Sequence, residues 1–343
     1  MTFRPRFMAT HGPQLPKGDV EQTIRTIVKY FPEAPCLPSF YQSMRMFLDG
    51  MPCATINKER GKLIFDLSPE REGELLEFYE RVLANDIDYF AINEKYMSTY
   101  SALLQFLKEN RPPELKVVHF QMGGPVTVAM NSEDSAGVPA FHNETTRDIV
   151  VKLLAMKTKW VERLVRQTLP GVETLMEFGE PVLVVHTSAV GSGSEEDLIK
   201  AMDEVLEAVE GIGGVHCCAN IDWPMLMRTK TACINFDSYE YADRIALYPD
   251  DLKRFLERGG MLAWGCVPVS DETLAAETVD SLMERLEYGM SLMVKRGIDE
   301  QLLAEASWVT PSCETIRMSP PMAERAFAYT SEISRRMREK YFG

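Results

Sequence analysis

The sequence predicts an α/β fold of the (βα)8 class, a TIM barrel, as a single domain over residues 1–343 with an insertion at about residues 35–110. Three observations carry that reading. From about residue 115, short apolar strands alternate with long amphipathic helices, the signature of βα units and a parallel sheet. Polar residues able to do chemistry stand near the carboxyl ends of several of those strands, where barrels build their sites. No repeat, low-complexity stretch or polar linker divides the chain, and its 343 residues suit one barrel.

In chain order, Phe7–Gly12 reads as the first strand and Asp19–Tyr30 as the helix behind it. Residues 35–110 then break the rhythm. Within them Cys53–Ile56 and Lys62–Leu67 are expected to pair as a hairpin across Glu59-Arg60-Gly61, and Ser68-Pro69 opens a helix to about Leu83. Lys116–Gln121 is the next barrel strand, followed by a helix at Arg147–Thr168. Pro181–Thr187 (PVLVVHT) is read as a buried strand. Glu195–Val209 repeats apolar residues at 198, 202, 205, 206 and 209, and Ser194 with Asp197 three later resembles a capping box, so a helix is expected there. Gly214–Ala219, Ala232–Asp237, Met261–Val267 and Trp308–Pro311 complete the strands, with a helix at Glu277–Arg296 before the last. Seven barrel strands are assigned in this way and the eighth is not.

Composition excludes several classes of function. Lys and Arg number 37 against 51 Asp and Glu, a net charge of −14, and the basic residues are dispersed, which argues against nucleic-acid binding. No apolar run approaches the roughly 20 residues of a membrane span, and the amino terminus lacks an apolar signal core. Seven cysteines, two of them adjacent, do not suggest a disulfide framework; an odd count fits a reducing compartment with free or metal-bound thiols. The expectation is a cytoplasmic protein. Twenty methionines read as adaptable core filler.

The sharpest local feature is His216-Cys217-Cys218. Side chains alternate along a strand, so His216 and Cys218 share a face from which an imidazole and a thiolate can reach one metal. Other strand ends carry His11-Gly12, His186-Thr187 and Asp237-Ser238, and Cys313 follows the last strand. In a barrel these ends converge. His216, Cys218 and Cys313 would supply three zinc ligands, with Asp237 as the oxygen candidate for a fourth and Cys266 as a rival thiol. Cys36, Cys53 and Cys233 read as structural, and Gly191-Ser192-Gly193 as a loop at the catalytic face.

Taken together, six segments resemble the superfamily of uroporphyrinogen decarboxylase and cobalamin-independent methionine synthase, over nearly the whole chain. They are Met8-Ala9-Thr10-His11-Gly12-Pro13-Gln14-Leu15-Pro16, Gly124-Pro125-Val126-Thr127, the stretch from Val215-His216-Cys217-Cys218 through Asn220 to Trp223, Ile234-Asn235-Phe236-Asp237, Ala263-Trp264-Gly265 with Val267-Pro268, and Thr310-Pro311-Ser312-Cys313. The resemblance implies a barrel whose zinc activates a thiol for methyl transfer, with His216, Cys218 and Cys313 as ligands and Asp237 at the position of the family's glutamate ligand. It points to Asn220, Trp264 and Glu314, with His11 and His186, as substrate-binding residues, and to His186, His11 and Asp237 as catalytic ones. The arginine-rich amino-terminal motif of the decarboxylase branch is not found.

Two departures bear on the substrate. The family carries Asp-Glu-Pro at the end of the third strand, where the sequence reading sets His186-Thr187-Ser188, and Glu314 replaces the glycine usual after the last cysteine. Loss of the acid that holds the homocysteine ammonium implies another acceptor. The leading expectation is a zinc-dependent methyltransferase acting on a small thiol, with methylcobalamin on a separate corrinoid protein as donor. The alternatives are a methionine-synthase-like enzyme using methylfolate, a metal-free lyase of the decarboxylase type, and a non-catalytic relative that stores zinc or scaffolds a corrinoid protein.

Overall fold

A computed structural model describes residues 3–40, 44–57, 62–186 and 194–343. Its ten strands among those residues are β1 (Met8–Ala9), β2 (Ala54–Ile56), β3 (Leu63–Phe65), β4 (Val117–Gly123), β5 (Glu133–Asp134), β6 (Glu173–Gly179), β7 (Ile212–Cys217), β8 (Cys233–Phe236), β9 (Met261–Val267) and β10 (Ser307–Pro311). Seven of them form one wholly parallel sheet in the order β1-β10-β9-β8-β7-β6-β4. Long helices cover its outer face, as the alternating sequence pattern requires.

The eighth barrel position, between β4 and β1, is filled by the segment 33–39. Lys116 N and Val117 N donate to Glu33 O, His119 N donates to Pro35 O, and Leu37 N donates back to His119 O. On the other side Leu15 N donates to Ser39 O and Ser39 N to Pro13 O. Prolines 32, 35 and 38 recur through this stretch. Each lacks an N–H, so the ladder is thin and the pattern does not read as a strand, although proline's φ suits extended backbone.

The expected strand at Pro181–Thr187 is corrected. The strand is β6, Glu173–Gly179, and Leu183–His186 is a short helical turn. Glu180 N donates to His216 O, after which Pro181 cannot donate and Leu183 N turns back to Glu180 O. The helix expected at Glu277–Arg296 starts at Val279, capped by Thr278. The helix Pro320–Phe342, which the sequence reading leaves unassigned, packs against β10 and β1. The hairpin of the insertion forms as β2 and β3, antiparallel, with β5 added parallel to β3; its turn at 59–61 lies outside the described residues.

One outer helix reaches into the sheet. Glu162, fully buried on the helix Glu144–Thr168, accepts hydrogen bonds from Thr174 Oγ1 at 2.6 Å, Glu210 N at 2.8 Å and Gly211 N at 2.9 Å. A buried carboxylate is costly unless its lone pairs are filled, and these are. Glu162 thereby joins the starts of β6 and β7, the strands that carry the site. No described helix is long and apolar enough to cross a membrane.

Candidate metal centre

His216 is the penultimate residue of β7, in register with Gly179 on β6 and Asn235 on β8. Cys218 follows the strand end. Cys313 arrives from the turn after β10, which crosses β9 closely: a Cβ on Gly265 would sit 2.7 Å from both Ser312 Cα and Phe236 O, so only glycine leaves room. The three donor atoms of His216, Cys218 and Cys313 lie within 4.8 Å of one another.

This geometry can be tested against a metal. A tetrahedral ion with bonds of about 2.3 Å to sulfur and about 2.0 Å to nitrogen holds those atoms about 3.5 Å apart. Cys313 Sγ and His216 Nε2 are 3.7 Å apart. Two sulfurs and an imidazole are a donor set suited to zinc. The residues therefore fit the ion, and three protein ligands leave a fourth position for a substrate.

The three groups share protons. Cys313 is held below the usual thiol value, first by its hydrogen bond with Cys218, while Cys218 is pushed up to about 12, chiefly by that same bond. Burial opposes charge on His216, but the bond to Cys218 and the charges of Glu177, Cys218 and Glu314 outweigh it and lift the imidazole to about 9.

A cleft of about 530 Å³ opens over this cluster, its wall formed by Gln121, Thr127, Phe47, Glu314 and Arg317 among others. Glu314 Oε2 accepts from Gln14 N at 2.6 Å, and burial raises its carboxyl to about 8. The carboxyl fits because residue 12 is glycine, whose added Cβ would lie 2.7 Å from Oε2. Arg317 has no hydrogen-bonding or ionic partner among the described residues.

The remaining sequence candidates lie elsewhere. His11 donates from Nδ1 to Gly12 O at 2.7 Å and accepts from Cys36 N at 3.2 Å through Nε2, and Phe31 and Phe327 flank its ring. Burial brings its pKa down to about 3, so it is neutral, and neither nitrogen remains for substrate. It pins the proline-rich eighth segment to the end of β1. His186 stands in the helical turn seven residues beyond the end of β6, not at a strand end; Thr187 and Gly191-Ser192-Gly193 lie outside the described residues. Asp237 caps the helix Ser238–Ile245 by accepting from Glu240 N at 3.1 Å, and it is not in the donor cluster. Asn220 is exposed and accepts from Trp223 Nε1. Trp264 is buried against Phe236 and donates to Ser307 Oγ at 2.9 Å, on the helix side of the sheet. Cys266 is buried outside the cluster.

The end of β6 reads Gly179-Glu180-Pro181. Glu180 is spent on the helix Pro125–Asn131, accepting from Val126 N, Thr127 N and Thr127 Oγ1 at 2.9, 2.7 and 2.6 Å. Of the cleft residues, Gln121 and Arg317 carry no local sequence signal, whereas Thr127 closes the Gly124-Pro125-Val126-Thr127 segment.

No family model and no curated protein match the chain. Among solved structures it is similar to a B12-independent methionine synthase from Shewanella sp. W3-18-1 in complex with selenomethionine, at 11% identity and a TM-score of 0.57, covering 97% of this chain and 99% of that one. It is also similar to a GH113 beta-mannanase from Alicyclobacillus acidocaldarius, at 10% identity and a TM-score of 0.44, with 98% of each chain covered. At such identities the first likeness shows a shared barrel fold alone, and the second carries no argument.

Proposed function

We propose that this chain is a zinc-dependent methyltransferase that moves a methyl group between a corrinoid and a small thiol other than homocysteine. The observation that carries the reading is the cluster of His216, Cys218 and Cys313, spaced for a tetrahedral ion beneath an open cleft. Zinc bound there would favour the thiolate form of the acceptor at neutral pH, where a free thiol of pKa about 8.5 is only a few per cent ionised. The acceptor's sulfur lone pair forms the S–CH3 bond as the donor's carbon–cobalt bond breaks, and the cobalt keeps that bond's electron pair. Cleft dimensions support a small acceptor, while a corrin ring would present its methyl group at the mouth.

Acceptor choice follows from the walls. Gly179 offers no carboxylate to an ammonium, and Glu180 is engaged by a helix terminus. Arg317 offers an unpaired guanidinium to a carboxylate or sulfonate. As the single arginine lining the cleft among the described residues, it gives little support to a metal-free lyase reliant on several arginines.

The test is a rate comparison on zinc-loaded protein with methylcobalamin or methylfolate as donor. Homocysteine, 2-mercaptoethanesulfonate, 3-mercaptopropionate and 2-mercaptoethanol serve as acceptors. Methylcobalamin with the anionic thiols should be fastest, zinc removal should abolish transfer, and Arg317→Ala should slow the anionic thiols at least tenfold more than 2-mercaptoethanol. Preference for methylfolate and homocysteine would replace this reading with a methionine-synthase-like one. Absence of zinc together with inactivity toward every thiol would refute it.

A further inference from the structure

Beneath the metal cluster the barrel interior holds a polar belt that the proposed chemistry does not use. Thr10 Oγ1 on the first segment donates to Ala34 O at 2.8 Å and lies 3.2 Å from His119 Nδ1 on β4. His119 Nε2 stands 3.5 Å from Glu177 Oε2 on β6. Asn235 Nδ2 on β8 donates to Glu177 Oε1 at 2.9 Å, and Thr310 Oγ1 on β10 donates to Asn235 Oδ1 at 3.3 Å. Glu177, with 1% of its surface exposed, is the only carboxylate in this belt.

His216 sits directly over it. Asn235 is its register partner, and Glu177 is in register with Gly214, two residues below His216 on the same face of β7. His216 Nε2 points to Cys313, so Nε2 is the nitrogen offered to a metal and Nδ1 must carry the proton. Yet His216 Nδ1 is buried without a hydrogen-bond partner, and so are Glu177 Oε2 and His119 Nε2, which face each other at 3.5 Å and leave room on Oε2 for a second donor. A buried N–H donor and a buried anionic acceptor in one desolvated interior each cost free energy unless they meet.

We propose that Glu177 is the positioning residue for the metal-binding histidine: its Oε2 receives the His216 Nδ1–H through one buried water, fixing the tautomer and ring orientation that aim Nε2 at the metal. This rests on the metal-site reading above. Carboxylates in this role typically carry 10- to 100-fold in metal affinity. Glu177 touches neither substrate nor metal and acts only through His216.

Zinc affinity measured by competition with a chromophoric chelator tests this, on wild type, Glu177→Gln and Val118→Ala. The last truncates a buried side chain on the helix-facing side of β4 and reports general loss of stability. Glu177→Gln should bind zinc 10- to 100-fold more weakly, Val118→Ala should bind within about twofold of wild type, and the Nδ1–H resonance of zinc-bound His216 should shift in Glu177→Gln. If Glu177→Gln fails to fold, Glu177→Asp, which withdraws the charge by one methylene, should show the same weakening. Unchanged affinity in Glu177→Gln, or equal weakening in Val118→Ala, overturns the inference and leaves the metal site standing. A wild type that binds no zinc overturns the metal-site reading itself, and this inference with it.

Discussion

Acid should loosen the barrel at His11, in a way that one substitution isolates. The ring is neutral in the fold because burial, outweighing its bond to Gly12 O, lowers its pKa from 6.5 to about 3. In the unfolded chain the same imidazole ionises near 6.5. Below that pH the unfolded state binds a proton that the folded state refuses, so the contribution of His11 is complete above pH 6.5 and is lost as pH falls toward 3. At about 1.4 kcal/mol per pH unit, the step from 6.5 to 4.5 removes roughly 2.7 kcal/mol, a large share of the roughly 5–15 kcal/mol that holds a domain folded. Glu180 works in the opposite direction. Burial raises its carboxyl to about 7, so the fold gains stability as pH falls from 7 toward 4.5. Glu314, raised to about 8, and Asp237, raised to about 6, act in the same sense as Glu180, so the total pH profile mixes opposed contributions and the informative quantity is a difference. His11→Gln keeps an amide donor and a carbonyl acceptor but cannot ionise. Urea unfolding of both proteins at pH 7.5, 6.5, 5.5 and 4.5 should show the wild-type advantage shrinking by roughly 2–3 kcal/mol between the ends. Parallel profiles would refute the claim that a neutral buried ring pins the eighth segment, as would a His11 proton resonance that titrates near pH 6.

Two other outcomes are expected of the metal centre. Cys218→Ala or Cys313→Ala should lose most of the zinc, while Cys266→Ala, buried outside the cluster, should retain it; elemental analysis of the purified variants decides, and full zinc in Cys313→Ala would exclude this ligand set. Gly265→Ala should push the 312–313 turn off β9 and weaken zinc binding at least tenfold with the fold retained by circular dichroism, since its Cβ meets Ser312 Cα at 2.7 Å; unchanged affinity would mean the turn yields without moving Cys313.

Much of the barrel was legible because its strands are apolar and evenly spaced by helices. His216 and Cys218 were legible for a simpler reason: the two-residue period of a strand puts them on one face. Cys313 followed from the convergence of strand ends. What escaped notice depended on contacts that no local pattern encodes. The 33–39 segment borrows its strand character from β4 and β1, because its prolines leave few donors of its own. Residues 181–187 form an apolar run, and nothing local distinguishes a buried strand from a buried turn. β6 was passed over because Glu177 interrupts it with a charge, and that charge makes sense only beside His119 and Asn235. Histidines 11 and 186 are drawn toward the site by their expected strand ends and by the resemblance. His11 finds its partners in Gly12, Cys36 and two phenylalanines instead.

Glu162 acts as a gauge stop for the whole assembly. Parallel strands of alternating pattern tolerate a slip of two residues without turning any side chain to the wrong face. Such a slip would carry His216 about 6.6 Å along the barrel axis, at roughly 3.3 Å per residue, far outside its 3.7 Å approach to Cys313. The carboxylate's three bonds, to Thr174 at the foot of β6 and to Glu210 and Gly211 at the foot of β7, are met together in one alignment of the two strands. Length along the barrel is thus calibrated at one end by an acid on an outer helix, and the calibration is read out at the other, where imidazole and thiols must agree to within a fraction of a residue step.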